Sequence, residues 1–191
     1  MSKPGPTPSQ TVGPYFSMRL AEEGENILTT RDDRIVIEGK VTDGAGNHIE
    51  DAFLEIWQAA PSGRYHHPDD TRDELDLEPG FTGFGRAKSD FETGEYRFET
   101  LKPGLVPDPE GSFQAPHISL IVQGRGMLNA VFTRIYFSDE EDANADDLVL
   151  RGVPQDRRET LIAQLQDGTD PPVYRFDIRM QGGGETVFFD F

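Results

Sequence analysis

Between Tyr96 and Ser119 the chain alternates, stops and starts again. Tyr96, Phe98 and Thr100 occupy every second position, which places their side chains on one face of a β-strand. The run ends at Lys102-Pro103-Gly104, where proline removes a ladder donor and fixes φ. A proline-rich loop follows, and a second strand opens at His117. Strand, ordered loop, strand is the pattern that governs the fold.

The same pattern recurs on both sides. Arg34–Asp43 reads as a β-branched strand closed by the turn Asp43-Gly44-Ala45-Gly46-Asn47. Asp51–Gln58 is the next, with Ala52, Leu54 and Ile56 on one face and Phe53 and Trp57 on the other. An irregular polar stretch runs from Ala59 to Pro79. Phe84–Lys88 and Glu95–Leu101 follow, joined by the hairpin-length turn Asp90–Gly94. His117–Gln123 and Leu128–Phe137 come next; on the latter, Phe132, Arg134 and Tyr136 share a face. Ser138–Asp147 holds six acids in ten residues and reads as a solvated loop or the start of a short helix. Thr160–Leu165 is expected to be a short helix, with Leu161 and Leu165 four apart. The C-terminus is expected to be a hairpin of Val173–Met180 and Thr186–Phe191 about the turn Gly182–Gly184. There is no βαβ rhythm and no internal repeat, so the expected fold is all-β: a sandwich of mainly antiparallel strands, in one domain spanning 1–191.

Residues 1–16 read as an extended arm. Four prolines in the eleven residues from Pro4 to Pro14 forbid a helix. Val12, Tyr15 and Phe16 are out of place in a solvated tail, which points to an arm packed on a partner or on its own body.

Composition narrows the chemistry. A net charge of −17 argues against nucleic acid, whose phosphates require basic patches. An anionic substrate would be repelled by the same field, so a site for one must supply a local Arg or Lys. No cysteine is present, which removes disulfides and thiolate ligands or nucleophiles. No window approaches a membrane span, and Met1-Ser2-Lys3-Pro4 lacks the layout of a secretory signal, so a cytoplasmic protein is expected. Gly80–Gly85 has the wrong glycine spacing for a phosphate loop and leads into a strand. Of the four histidines, His48 lies in a turn and His66 and His67 on a polar loop. His117 opens a strand directly after a loop, and two positions on, sharing its face, is Ser119. Two histidines so placed would form a chelating pair; here half of that pair is missing.

The segments Thr7-Pro-Ser-Gln-Thr-Val-Gly-Pro-Tyr-Phe16, Glu55-Ile-Trp-Gln-Ala59, Gly63-Arg-Tyr65, Gly83-Phe-Gly-Arg86, Gly94-Glu-Tyr-Arg-Phe98, Lys102-Pro-Gly104, Ala115-Pro-His-Ile118 and Ile135-Tyr-Phe137 follow one another along the chain. Together they resemble the intradiol ring-cleaving dioxygenases. The resemblance implies a site built around Fe(III), which in the family's iron-bearing chains is held by two Tyr and two His. Here Tyr65 stands at the first tyrosine position and Val106 at the second; His117 and Ser119 stand at the two histidine positions, and Gln114 replaces a catalytic Arg. Fe(III) is a hard cation that draws on phenolate oxygens and imidazoles, and valine has no lone pair. No metal is therefore expected on this chain.

That pattern is similar to the iron-free chain of the family's two-chain members, which act on 3,4-dihydroxybenzoate. The resemblance implies a hetero-oligomer with a homologous, iron-bearing beta subunit and an active site in the cleft between the two chains. It further implies that this chain lends Gly13, Pro14, Tyr15 and Arg134 to the binding of a small aromatic acid, and that O2 cleaves the ring between its hydroxyls to give 3-carboxy-cis,cis-muconate. Two other readings are open: a self-sufficient enzyme with an iron shell of Tyr65, His117 and His66 or His67, and a non-catalytic sandwich that shares only the fold.

Overall fold

The computed structural model describes residues 5, 7–16, 20–108 and 111–190; residues 1–4 and 6 of the expected arm and Phe191 of the expected hairpin lie outside them. In chain order the elements are β1 (Ile35–Thr42), β2 (Ala52–Gln58), β3 (Phe84–Lys88), β4 (Glu95–Thr100), β5 (Val106–Pro107), β6 (Phe113–Gln114), β7 (His117–Gly124) and β8 (Val131–Phe137). Two short helices, α1 (Glu141–Asp146) and α2 (Leu148–Gly152), and a 3₁₀ turn (Gln155–Leu161) precede β9 (Ile162–Gln166), β10 (Val173–Arg175) and β11 (Ile178–Arg179). The molecule is all-β in character, as expected.

The main strands form one continuous hydrogen-bonded path. β4 pairs with β1, and β10 and β11 follow β1 in parallel along its other edge. The path continues through β9, β8, β7 and β2 to β3. It curls until its two ends approach. Residues 25–28 bridge the gap: Arg86 N donates to Glu25 O on one side, while Glu99 N donates to Asn26 O and Leu28 N to Glu99 O on the other. Buried Gln58 adds a polar tie, donating to Leu101 O at 2.8 Å and accepting from Thr100 Oγ1 at 2.7 Å.

Inside the curl lie the inward rows of each strand: Ile35 and Ile37, Leu54 and Ile56, Ile118, Leu120 and Val122, Ile135 and Phe137, all essentially buried. At roughly 1.5–3 kcal/mol for each large apolar side chain removed from water, this is the main source of stability. A smaller cluster of Ala115, Tyr136, Leu150, Val153 and Leu161 packs beneath the helices.

Two expectations fail. The helix over Thr160–Leu165 is absent: Leu161 ends the 3₁₀ turn and Ile162–Gln166 is a strand between β8 and β10. Leu161 and Ala163 are buried while Gln164 is exposed, so the period is two, and strand neighbours on both sides override a weak helical spacing. The C-terminal hairpin survives only at its turn, where Thr186 N donates to Arg179 O. Beyond it the chain leaves for β8, with Phe189 N donating to Phe132 O and Thr133 Oγ1 to Val187 O.

Among the described residues, no helix is long and apolar enough to cross a membrane.

Candidate functional site

Two loops are clamped together by glycines. Gly63 has φ +82°, and a Cβ there would lie 2.0 Å from Leu105 O; a Cβ on Gly104 would lie 2.2 Å from Pro61 O. Only glycine permits such contact between backbones. The clamp holds Gly63-Arg64-Tyr65 beside Lys102–Val106, which is why positions so distant in sequence share a corner.

Tyr65 then lies nearly parallel to Trp57, ring centroids 5.7 Å apart, and Trp57 stands opposite Ser119 in the β2–β7 ladder. Ser119 stands opposite Arg134 of β8, and His117 opposite Tyr136. Val106 pairs with Gln114 in the small β5–β6 ladder. Arg134 Nη1 donates to Gln114 Oε1 at 2.8 Å and makes a long 3.5 Å approach to the Tyr136 hydroxyl. Tyr65, Val106, His117, Ser119 and Arg134 are thus gathered at one end of the outer sheet face.

Burial shapes their electrostatics. His117 is buried, and its Nδ1 lies 2.7 Å from Ala115 O. A carbonyl can only accept, so Nδ1 carries the proton and Nε2 is bare. Burial, with the nearby positive charge of Arg134, lowers the His117 pKa to about 4, leaving a neutral ring at pH 7. Burial also raises the Tyr65 pKa, with Arg134 and Arg72 pulling it part of the way back. No hydrogen bond joins Tyr65 to His117 among the described residues.

Beneath them sits Asp147, fully buried at the N-cap of α2. Its Oδ2 accepts from Ala115 N at 2.9 Å, while Oδ1 accepts from Leu150 N at 2.8 Å and from the Tyr136 hydroxyl at 3.1 Å. Asp147 was hidden in the sequence as one of six acids in Ser138–Asp147. Its signal was local: an aspartate immediately before the apolar Leu-Val-Leu that opens a helix.

The arm docks elsewhere. Thr11 Oγ1 donates to Gly124 O at 3.3 Å and accepts from Gly126 N at 3.0 Å, and the buried Phe16 ring lies 5.6 Å from Phe53. Gly13 takes φ +73° and Tyr15 is 75% exposed. Gly124 is five residues along β7 from Ser119, roughly 17 Å away. Gly13, Pro14 and Tyr15 and the side chain of Arg134 are therefore anchored at different ends of one face. His66 and His67 are exposed on their loop. Among the described residues no three side chains of His, Asp or Glu converge as a metal-binding group.

The family model described as Dioxygenase matches residues 11–182. The chain is 43% identical to the protocatechuate 3,4-dioxygenase alpha chain of Pseudomonas putida, over 97% of this chain and 96% of that one. It is 34% identical to the protocatechuate 3,4-dioxygenase beta chain of Burkholderia cepacia, over 81% of this chain and 67% of that one. Among solved structures, the dioxygenase domain of a carbohydrate-binding fusion protein from Streptomyces sp. SirexAA-E superposes with a TM-score of 0.62 at 24% identity, covering 94% of this chain and all of that domain, and so shares its fold. The chain belongs to the intradiol dioxygenase family, as a relative of both chains of protocatechuate 3,4-dioxygenase.

Proposed function

We infer that this chain is the alpha-type, iron-free subunit of a protocatechuate 3,4-dioxygenase and works in a hetero-oligomer with a homologous beta chain. The observation that carries this reading is the end-to-end 43% identity to an alpha chain, against 34% over a shorter span to a beta chain. The reaction so assigned is O2-dependent cleavage of 3,4-dihydroxybenzoate between its hydroxyls, in the cytoplasm. We also read the curled sheet as a sandwich, with β4, β1 and β10 facing β8, β7, β2 and β3 across the core.

Ferric iron does not fit the residues present. Val106 offers no lone pair, Ser119 offers a neutral hydroxyl, and the Tyr65 phenol and His117 Nε2 supply only two donors of the required kind. The iron therefore belongs to the beta chain, where it supplies the redox chemistry. What this chain supplies is a binding surface. Arg134 is half-buried and has no carboxylate partner among the described residues. Its planar fork can take a carboxylate bidentately, and removal from water strengthens that contact. In a protein of net charge −17 such a local cation is the feature a benzoate needs. Gly13, Pro14 and Tyr15 form a second contact, presented away from the body by the anchors at Thr11 and Phe16. Arg134 orients the ring while the arm closes the cleft against water, the proximity part of catalysis.

The test is Arg134→Ala in the coexpressed complex. KM for 3,4-dihydroxybenzoate is expected to rise about 10- to 100-fold, the value of a charge-assisted pair, with iron content unchanged. An unchanged KM in an intact complex removes the assigned role.

A further inference from the structure

The geometry points to Gln114 as the residue that positions Arg134 and keeps its charge available, so that Gln114 sets the selectivity for a carboxylated ring. The inference rests on the role given above to Arg134.

Three observations carry it. Gln114 Oε1 receives Arg134 Nη1 at 2.8 Å, the shorter of the two polar contacts described for that guanidinium. The acceptor is a neutral amide, so it fixes the direction of the side chain without cancelling its charge. Gln114 is itself fixed at both ends of its peptide: it pairs with Val106 across β5–β6, and the next residue's N–H is held by buried Asp147 at 2.9 Å. Asp147 also holds the Tyr136 hydroxyl, the other group beside Arg134. One buried carboxylate thus roots both sides of the cradle, its oxygens taken up by Ala115 N, Leu150 N and the Tyr136 hydroxyl, and it makes no ion pair with Arg134 among the described residues. A carboxylate at position 114 would make the same contact but satisfy the cation internally, and it would repel an incoming acid. An arginine there would crowd a second cation against Arg134.

The experiment uses the coexpressed complex and two competitive inhibitors that share a ring hydroxyl, 4-hydroxybenzoate and phenol. In Gln114→Glu, the inhibition constant for 4-hydroxybenzoate and KM for 3,4-dihydroxybenzoate are expected to rise about 10- to 100-fold. Inhibition by phenol and iron content stay within about twofold. Gln114→Met, which removes the acceptor without adding charge, is expected to give a smaller loss of about 3- to 10-fold, again confined to the carboxylated ligands. The inference is overturned if Gln114→Glu leaves 4-hydroxybenzoate unaffected while Arg134→Ala weakens it. Equal losses for both inhibitors overturn it too, since they mark a merely structural effect. If Arg134→Ala itself changes nothing, the underlying assignment fails and this one fails with it.

Discussion

The two ends of the outer sheet face are built on opposite principles. At the Arg134 end, polar groups are interlocked: Arg134 donates to Gln114 at 2.8 Å and approaches the Tyr136 hydroxyl at 3.5 Å, and that hydroxyl donates to Asp147 at 3.1 Å, over a cluster of buried apolar residues. At the arm end, among the described residues, one threonine and one phenylalanine hold the chain, and Tyr15 between them stands 75% exposed. The first is complete within one chain. The second presents its aromatic ring outward, the arrangement expected of a segment finished by a partner. A rigid cation and an adaptable aromatic arm are different devices, and each has its own way of failing.

The largest expected effect breaks the rigid end. Asp147→Ala leaves Ala115 N, Leu150 N and the Tyr136 hydroxyl without their acceptor, and is expected to cost about 3 kcal/mol or more. Urea unfolding of the purified chain measures it, and a loss under 1 kcal/mol would mean that this end is not braced as described.

Acid strikes the same end by another route. The unfolded chain binds a proton at His117 near pH 6.5, whereas the folded chain accepts it only near pH 4. The unfolded state therefore holds more protons in this window, and stability contributed by neutral His117 is present above pH 6.5 and lost as the pH falls towards 4. The full difference is about 3 kcal/mol. His117→Phe is expected to flatten the slope of unfolding free energy between pH 6.5 and 4; an unchanged slope would assign the acid response to other groups.

At the arm end the effects are smaller. Phe16→Ala removes one buried ring from Phe53 and is expected to release the arm at a cost of about 2–3 kcal/mol, read as faster amide exchange at the Gly126 N–H that Thr11 accepts. Tyr15→Ala should change the stability of the isolated chain by less than about 0.5 kcal/mol while weakening its affinity for the beta chain. If Tyr15→Ala weakens neither that affinity nor substrate binding, the exposed ring has no partner to meet.

Much of the fold was legible because alternation and turn chemistry are local. Ile35–Thr42, Ala52–Gln58 and Phe84–Lys88 fall within a residue of the expected runs. Thr160–Leu165 misled because a few apolar residues satisfy either period, and the choice was made by pairing with β8 and β10 on its two edges. The corner that gathers Tyr65 and His117 could be listed from motif resemblance, but not built. Its assembly depends on backbone contacts between Gly63 and Leu105 and between Gly104 and Pro61, which no spacing reveals. The separation of Gly13–Tyr15 from Arg134 was likewise invisible, since it depends on which end of β7 receives Thr11. Asp147 carried a readable capping signal and was masked by its acidic neighbours.

In the role proposed for this chain, the beta chain alone holds the metal. Ferric tyrosinate absorbs visible light, so Tyr65→Phe can be scored by the colour and iron content of the coexpressed complex. Colour and iron equal to the unmodified complex are expected. A bleached complex, or one that has lost iron, would place Tyr65 on the metal and contradict the role given to this chain.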